Sequence, residues 1–382
     1  MKLVYRIAVF SLLLIITYII VFKSDHGYLK IVLNMTIKDG ETKRVYLVDK
    51  SFKKTVVDTY GQSNKPKREV VLTVVVCGDR VQETLVMIKS AVVLSQDSRL
   101  RVIILAEKSL VQDFVEKLTE WTNILNGSFT FETRPVSFPK KGGEEWRKLF
   151  RPCASQRLFL PSVLVDVDSI LYVDTDVLFL SPPETVWKHF DRMNSTQLAA
   201  LAPEHEDPNT GWYNRFARHP YYGKLGVNSG VMLMNLTRMR DFGWEKYLAP
   251  ILKEYKLKMT WGDQDIINII FHYHPESLYT YDCSYNYRSD HCMYTSVCKP
   301  AHTEGVKVLH GSRGTFHNER QPAFRAVFQA FQEYQLGNDI YQYLFLPMET
   351  YLKQTSSSNC GKVHNIFLKQ VKEFVGDGDY FS

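Results

Sequence analysis

The chain reads as an α/β protein built on an open, mostly parallel β-sheet with helices on both faces. Three observations predict this class. Across residues 70–173, short β-branched apolar runs alternate with segments of helical period, the order that generates β-α-β units. The first run, Val70-Val71-Leu72-Thr73-Val74-Val75-Val76, lacks the alternation of a half-exposed strand and suits one covered on both faces. With 45% apolar and 13% aromatic residues, the 382-residue chain has the means to fill such a core.

Taken in order, the strand at 70–76 leads through polar Asp79 and Arg80 into a helix whose Leu85, Ile88 and Val92 recur at helical spacing to about residue 94. A strand is expected at 101–105, a helix at 110–121, a strand at 129–132, a helix spanning 144–160 and a strand at 170–173. Residues 231–234 read as another strand, and 306–309 as a late one ending at His310, both reaching the same edge. Pro322 opens a helix with Phe324, Val327, Phe328 and Phe331 on one face, a core-packing stripe. Beyond about residue 347 the chain reads as a polar tail.

Ile7 begins sixteen residues without a charge, preceded by Lys2 and Arg6 and followed by Lys23. This run suits a signal-anchor helix over residues 7–22 with a cytoplasmic tail at 1–6. A cleaved signal peptide is the rival, but the run is long for one and no small-x-small site precedes Lys23-Ser24-Asp25. The net charge of +6 sits outside the core: residues 23–69 carry eleven Lys or Arg against six Asp or Glu, and Lys2 and Arg6 add two more. The remainder is close to neutral, which argues against a nucleic-acid binder, and 23–69 reads as a basic lumenal stem. The expected organisation is therefore tail, anchor, stem, a single catalytic domain at 70–346 and a C-terminal tail at 347–382.

Four N-x-Ser/Thr triplets begin at Asn34, Asn126, Asn194 and Asn235, consistent with a Golgi or endoplasmic reticulum membrane protein whose main domain is lumenal. Asn235 follows an apolar run that suits burial. The six cysteines are even in number, as an oxidising compartment favours, and allow 15 pairings, of which none is singled out. Cys77 and Cys153 also fit buried free thiols.

In open α/β sheets, ligands occupy the crevice beyond the carboxyl ends of the strands. The first strand is followed there by Cys77-Gly78-Asp79-Arg80, and the strand at 170–173 by Asp174-Thr175-Asp176. The glycine fingerprints of dinucleotide-binding and P-loop proteins are absent. In an extended segment Asp174 and Asp176 face the same way about 7 Å apart, so the pair suits one hard divalent cation. Two solvated aspartates in a turn are the plain alternative. Asp166-Val167-Asp168 has the same spacing but precedes its strand and reads as that turn. His310 adds an imidazole at a strand end, and a histidine with two carboxylates suits manganese better than calcium. Gly311-Ser312-Arg313-Gly314 follows it, where glycines let backbone N–H groups approach a diphosphate and Arg313 adds charge.

Several longer runs carry a family resemblance. They include Pro152-Cys153-Ala154-Ser155-Gln156-Arg157, Leu171-Tyr172-Val173-Asp174-Thr175-Asp176, Asn228-Ser229-Gly230-Val231-Met232-Leu233-Met234-Asn235 and Trp261-Gly262-Asp263-Gln264-Asp265. Over residues 70–335 the chain resembles glycosyltransferase family 8, and within it the glucoside xylosyltransferases. The resemblance implies a GT-A type, Rossmann-like fold and a retaining transferase. It implies UDP-xylose as donor, with manganese (Mn2+) held by Asp174, Asp176 and His310. The acceptor it implies is glucose O-linked to EGF-like repeats of Notch-type proteins, xylosylated in α-1,3 linkage.

The same resemblance assigns individual residues. Cys77, Gly78, Asp79 and Arg80 would face the uridine and Arg157 the nucleotide, unless Arg157 only braces a helix against a carboxylate. Thr175, Ser229, Gly230, Gly311 and Gly314 belong to the donor-binding runs. Asn228 and Asp263 would meet donor-sugar hydroxyls, and Gln264 would lie beneath the anomeric carbon; for Asn228 the alternative is a structural turn. Trp212, Tyr213 and Trp261 suit either sugar stacking or packing. One departure stands out: the family commonly continues His-x-x-Gly-x-x-Lys, and here the lysine is missing, with Arg313 or His317 as substitutes for its diphosphate contact. Other UDP-hexose transferases of the family, a lectin-like relative and a metal-dependent hydrolase are the rival readings.

Overall fold

A computed structural model describes residues 15–23, 29–36, 42–48, 68–96, 98–139, 143–149 and 153–376. Two compact units form, one at the N-terminus and one spanning Lys67–Gly378. In the N-terminal unit, strands β1 (Ile15–Lys23), β2 (Leu29–Thr36) and β3 (Thr42–Val48) make an antiparallel sheet. The second half of the apolar run expected as an anchor helix is thus a strand. Its clustered isoleucines and Val21 are stiff at χ1 and favour extended backbone. Residues 7–14 lie outside the described residues. No helix among the described residues is long and apolar enough to cross a membrane. Strands β2 and β3, which pair with each other, both fall within the stretch expected as a stem.

In the larger unit, seven strands follow the order β11-β9-β10-β7-β4-β5-β6. Strands β4 (Glu69–Val76), β5 (Arg99–Ala106), β6 (Phe129–Pro135) and β7 (Ser169–Val173) are mutually parallel, with β4 between β5 and β7. Every residue of β4 after Glu69 is buried, as its unbroken apolar run predicts. The chain winds outward from β4 to β6, then returns to β7 on the other side of β4. This reversal opens a crevice beyond the ends of β4 and β7. Helices α1 (Val81–Leu94) and α2 (Val111–Ile124) occupy the expected intervals.

Strand β10 (Val227–Asn235) runs antiparallel to both β7 and β9 (Ala199–Pro203), and β11 (Leu278–Thr280) lies parallel to β9 at the edge. Because β10 is reversed, its first residues, not its last, lie at the crevice. The late strand β12 (Val308–His310) does not join the main sheet. It pairs antiparallel with the short β8 (Val177–Phe179) in a two-stranded sheet, His310 opposite Val177.

The helix expected over 144–160 is broken. A helix ends at Leu149, a 3-10 turn covers Ala154–Phe159, and Cys153 between them has φ 65°. Pro152 disfavours helical backbone before it, and left-handed Cys153 redirects the chain.

The polar tail expected from residue 347 is instead part of the core. Two helices, Leu346–Lys353 and Asn365–Val375, fold back, and Ile366, Phe367, Leu368 and Val371 are buried. Phe367 meets Phe324 of helix α4 (Pro322–Glu333) and Tyr287 edge-on, at ring-centroid distances of 5.7 and 5.8 Å. A Cys292–Cys360 disulfide fastens the segment. Its apolar residues were masked by interspersed lysines, which lie on the outer face of an amphipathic helix. Tyr287 in turn donates its N–H to Val308 and accepts one from His310, so the tail supports β12.

A chain ending at residue 346 therefore strips the cover from Phe324 and Tyr287. Its unfolding midpoint is expected to fall by 10 °C or more or the product to be insoluble, since burial of each large side chain contributes roughly 1.5–3 kcal/mol. A thermal melt indistinguishable from the full chain contradicts this packing.

Candidate active site

The end of β7 starts the site. Asp174 donates its backbone N–H to the Gly230 carbonyl at 2.9 Å, the last rung toward β10, and the chain then turns. The expectation of an extended Asp174-Thr175-Asp176 does not hold: the three form a turn before β8. The turn draws the carboxylates closer than a strand would. One ligand atom from each of Asp174, Asp176 and His310 lies within 4.8 Å of the others. His310 reaches them through the β8–β12 pairing, reinforced by the Gly311 N–H donating to the Asp176 carbonyl at 2.6 Å. Its Nε2 is 3.4 Å from Asp176 Oδ1 and 3.8 Å from Asp174 Oδ2.

Arg157 is buried against this turn. Its Nη2 donates to Asp174 Oδ1 at 2.7 Å, its Nε lies 2.5 Å from Asp263 Oδ2, and its Nη1 donates to the Ser229 carbonyl at 2.7 Å. The guanidinium also lies over the Tyr172 ring, 4.6 Å from its centroid. Burial alone would lower the Arg157 pKa, but Asp174 and Asp263 outweigh it and push it up. Burial pushes the Asp263 carboxyl up to about 6, with Arg157 opposing. These contacts are those of a brace between carboxylates, the alternative expected for Arg157, and the same side chain also lines the cavity of this site.

Helix α3 (Asp263–Tyr273) presents Asp263 and Gln264 from its first turn, and Gly262 before it has φ 66°. Gln264 Oε1 accepts the Ser229 N–H at 3.1 Å, and its Nε2 donates to Glu204 Oε2 at 3.3 Å. Asp265 accepts the N–H groups of Thr260 and Trp261 at 2.8 and 2.7 Å, which fixes the loop before the helix. Asn228, at the start of β10, donates to Glu204 and accepts from Gly230 and Asn286. Glu204 itself follows β9 and receives Arg288 Nη1 at 2.7 Å.

Asp174, Asp176, His310, Asn228, Asp263 and Gln264 line one cavity of about 500 Å³. Arg157, Ser229 and Arg313 complete its expected wall; Glu204, Arg288 and Ser312 are additions that carried no role in the sequence reading. Glu204 had a readable signal, a carboxylate directly after an apolar run, like Asp174. The Cys77-to-Arg80 loop lies at the end of β4 but outside this lining. Cys77 is bonded to Cys153, which excludes the free-thiol reading and ties that loop to the segment carrying Arg157. Gly78 donates to Glu107 at 2.9 Å, and the Asp79 side chain is exposed. Arg80, Thr175 and His317 all converge on buried Glu83 of α1.

The position of the missing lysine is Phe316, buried and stacked on Phe328 at 5.1 Å. Arg313, one expected substitute, pairs with Asp290, whose carboxyl is held at about 2 by Arg288 and Arg313 against the effect of burial. Trp212 packs edge-on to Trp261 at 5.4 Å, with Trp261 partly exposed at the cavity. Asp166, paired with Arg134, sits in a turn before β7 as expected.

Four carboxylates face this cavity, and two buried guanidinium groups contact three of them: Arg157 meets Asp174 and Asp263, and Arg288 meets Glu204. Asp176 has His310 beside it and makes no guanidinium contact among the described residues. A compact O,O,N donor set with uncompensated negative charge fits a divalent transition-metal cation. Gly230 is what lets His310 approach: a Cβ there would lie 2.1 Å from the imidazole Cε1. Gly230→Ala is expected to displace the ring, cost about 1–3 kcal/mol by overpacking and lack any melting shift that a divalent cation gives the wild type. Calorimetric melts with and without the ion check this; an unchanged metal-dependent shift contradicts it.

Residues 19–312 match the family model described as glycosyl transferase family 8. The chain is 50% identical over 327 residues to rat (Rattus norvegicus) glucoside xylosyltransferase 1, covering 83% of this chain and 74% of the relative. It is 51% identical over 332 residues to the zebrafish (Danio rerio) protein of that name, covering 83% and 82%, and 49% identical over 319 residues to mouse (Mus musculus) glucoside xylosyltransferase 2, covering 81% and 72%. Among solved structures, a galactosyltransferase crystallised with donor and acceptor sugar analogues superposes with TM-score 0.52 at 18% identity, covering 72% of this chain and 100% of that one. The GT-A-like sheet is shared with it, and the sequence match over most of the chain carries the assignment: this protein belongs to glycosyl transferase family 8.

Proposed function

We propose that the chain is a glucoside xylosyltransferase: it moves xylose from UDP-xylose, with retention, onto the 3-hydroxyl of a glucose O-linked to EGF-like repeats of Notch-type proteins. The single observation that carries the transferase chemistry is the Asp174, Asp176, His310 cluster at the mouth of a cavity floored by Asp263 and Gln264. The sugar assignment is supported by relatives near 50% identity that carry the xylosyltransferase name.

Asp174, Asp176 and His310 would hold the cation, which supplies Lewis-acid charge neutralisation for a departing diphosphate. The remaining roles belong to the chain. Double displacement needs a free carboxylate beneath the sugar. Asp263 is committed to Arg157 and Glu204 to Arg288, so neither is a ready nucleophile. Gln264 is held at both ends by Ser229 and Glu204, which fixes its amide dipole in the cavity. The reading that follows is front-face substitution. The anomeric carbon–phosphate oxygen bond breaks, the acceptor oxygen bonds to the same face, and its proton passes to the leaving phosphate. Gln264 Oε1 stabilises positive charge on the sugar.

The signal-anchor and lumenal placement belong to the same reading. Pairing of all six cysteines suits an oxidising compartment. Alkaline carbonate should leave the full chain in the membrane pellet and release a chain that begins at residue 24; release of both contradicts an anchor. With the full chain, manganese, UDP-xylose and an O-glucosylated EGF repeat, xylose transfer is expected, with loss on chelation. Gln264→Ala is expected to lower kcat by about 100-fold or more, the scale for losing a transition-state electrostatic contact. Transfer from UDP-glucose or UDP-galactose instead of UDP-xylose overturns the donor, and full turnover by Gln264→Ala overturns its role.

A further inference from the structure

Behind His310 runs a chain of buried hydrogen bonds whose direction is set at its far end. Glu204 is a carboxylate, an acceptor on both oxygens, and Arg288 Nη1 donates to its Oε1 at 2.7 Å. Its Oε2 takes the Nδ2 proton of Asn228 at 2.9 Å. Asn228 must therefore turn Oδ1 away from Glu204, and the Gly230 N–H, a donor only, meets that oxygen at 3.0 Å. The same Oδ1 accepts from Asn286 Nδ2 at 2.9 Å, while the Asn228 carbonyl lies 3.4 Å from that nitrogen. Both neighbours of Asn286 Nδ2 are acceptors, so its amide orientation is fixed too. Asn286 then offers only Oδ1 to His310 Nδ1, 2.9 Å away.

An oxygen acceptor at Nδ1 demands the Nδ1–H tautomer. Nε2, the nitrogen facing Asp174 and Asp176, keeps its lone pair. Glu204, Asn228, Asn286 and His310 are each at least 90% buried, and Asn286, the link to His310, is not among the residues that line the cavity. Reversing any member places two acceptors or two donors against each other.

We propose that Glu204 is a positioning residue for the cation: through Asn228 and Asn286 it selects the His310 tautomer whose Nε2 can bind a metal. The proposal rests on the reading of Asp174, Asp176 and His310 as ligands. Nothing in it requires a bound sugar, which makes it separable from any contact Glu204 makes with substrate.

Glu204→Gln reverses the signal. Arg288 retains the glutamine Oε1, so Nε2 faces Asn228, whose flip to accept from it gives up the Gly230 N–H bond; Asn286 follows, gives up its contact with the Asn228 carbonyl and presents Nδ2 to His310 Nδ1. The proton moves to Nε2. Adding Asn286→Asp repairs the chain, because a carboxylate accepts both from the flipped Asn228 and from His310 Nδ1–H. The test measures Mn2+ affinity of the full chain without donor, by the electron paramagnetic resonance signal of the free ion, together with 15N shifts of labelled histidine identified by His310→Gln. Glu204→Gln is expected to weaken Mn2+ binding about 10–100-fold, the usual effect of losing a ligand's outer partner, and to show Nε2–H. The double variant Glu204→Gln/Asn286→Asp is expected to recover most of the affinity and the Nδ1–H signal, which a merely structural role for Glu204 does not predict.

If Glu204→Gln does not fold, Asn286→Ala carries the same test, since it removes the acceptor on Nδ1–H and should weaken binding likewise. Wild-type affinity in Glu204→Gln, or no recovery in the double variant, overturns the relay. An Asp176→Asn variant that binds Mn2+ as tightly as wild type overturns the ligand reading instead.

Discussion

The site depends on one electrostatic constraint: Asp174 and Asp263 must share a single cavity wall in a low-dielectric interior. Asp263 is buried and Asp174 partly so, and two such carboxylates repel and are costly to desolvate unless a cation joins them. Arg157 is that cation, in contact with both and fixed by the Ser229 carbonyl and the Tyr172 ring. Much of the local architecture serves its placement. The Cys77–Cys153 disulfide and the left-handed turn at Cys153 deliver the 3-10 segment that carries it, and reversed β10 supplies Ser229 beneath it. With Asp174 half-neutralised and Asp176 making no guanidinium contact among the described residues, negative charge remains beside Nε2 of His310, a place where a divalent cation fits.

Long-range pairing does the rest. His310 lies far from Asp176 in sequence, and the three-residue pairing of β8 with β12 brings them together. So short a sheet needs external support. It receives it from Tyr287, which brackets β12 by two backbone hydrogen bonds, and from Phe367, which covers Tyr287. The C-terminal helix is therefore linked by packing to His310 and the aspartates beside it, although it is not among the elements that line the cavity.

The parallel half of the sheet was legible because fully buried strands write themselves as unbroken β-branched runs; 70–76 and 170–173 differ from β4 and β7 by one residue at the start. Asp174 was legible because it directly follows such a run, Asp176 by its spacing from Asp174, and His310 because it ends another run. The direction of β10 was not, since an apolar run has the same pattern read either way. Nor was the turn at Asp174, which depends on the Gly230 rung from another strand. For Arg157 a nucleotide contact and a brace were both open, and its carboxylate partners, Asp174 and Asp263, are visible only in three dimensions. Glu204 directly follows an apolar run and could have been marked, but its relay through Asn228 and Asn286 could not: a hydrogen-bond relay is a property of three-dimensional neighbours, and no local spacing announces it. The tail misled because lysines between its buried residues lowered its apparent hydrophobicity.

The central claim, that Asp174, Asp176 and His310 together hold a cation for a nucleotide diphosphate, is tested most directly by anomalous diffraction. Crystals grown with manganese and UDP, measured at the manganese edge, are expected to show one strong peak roughly 2.0–2.3 Å from a carboxylate oxygen of each aspartate and from Nε2 of His310, the usual range for first-row metal ligands. A peak that omits His310, approaches it through Nδ1, or lies elsewhere in the cavity contradicts the account.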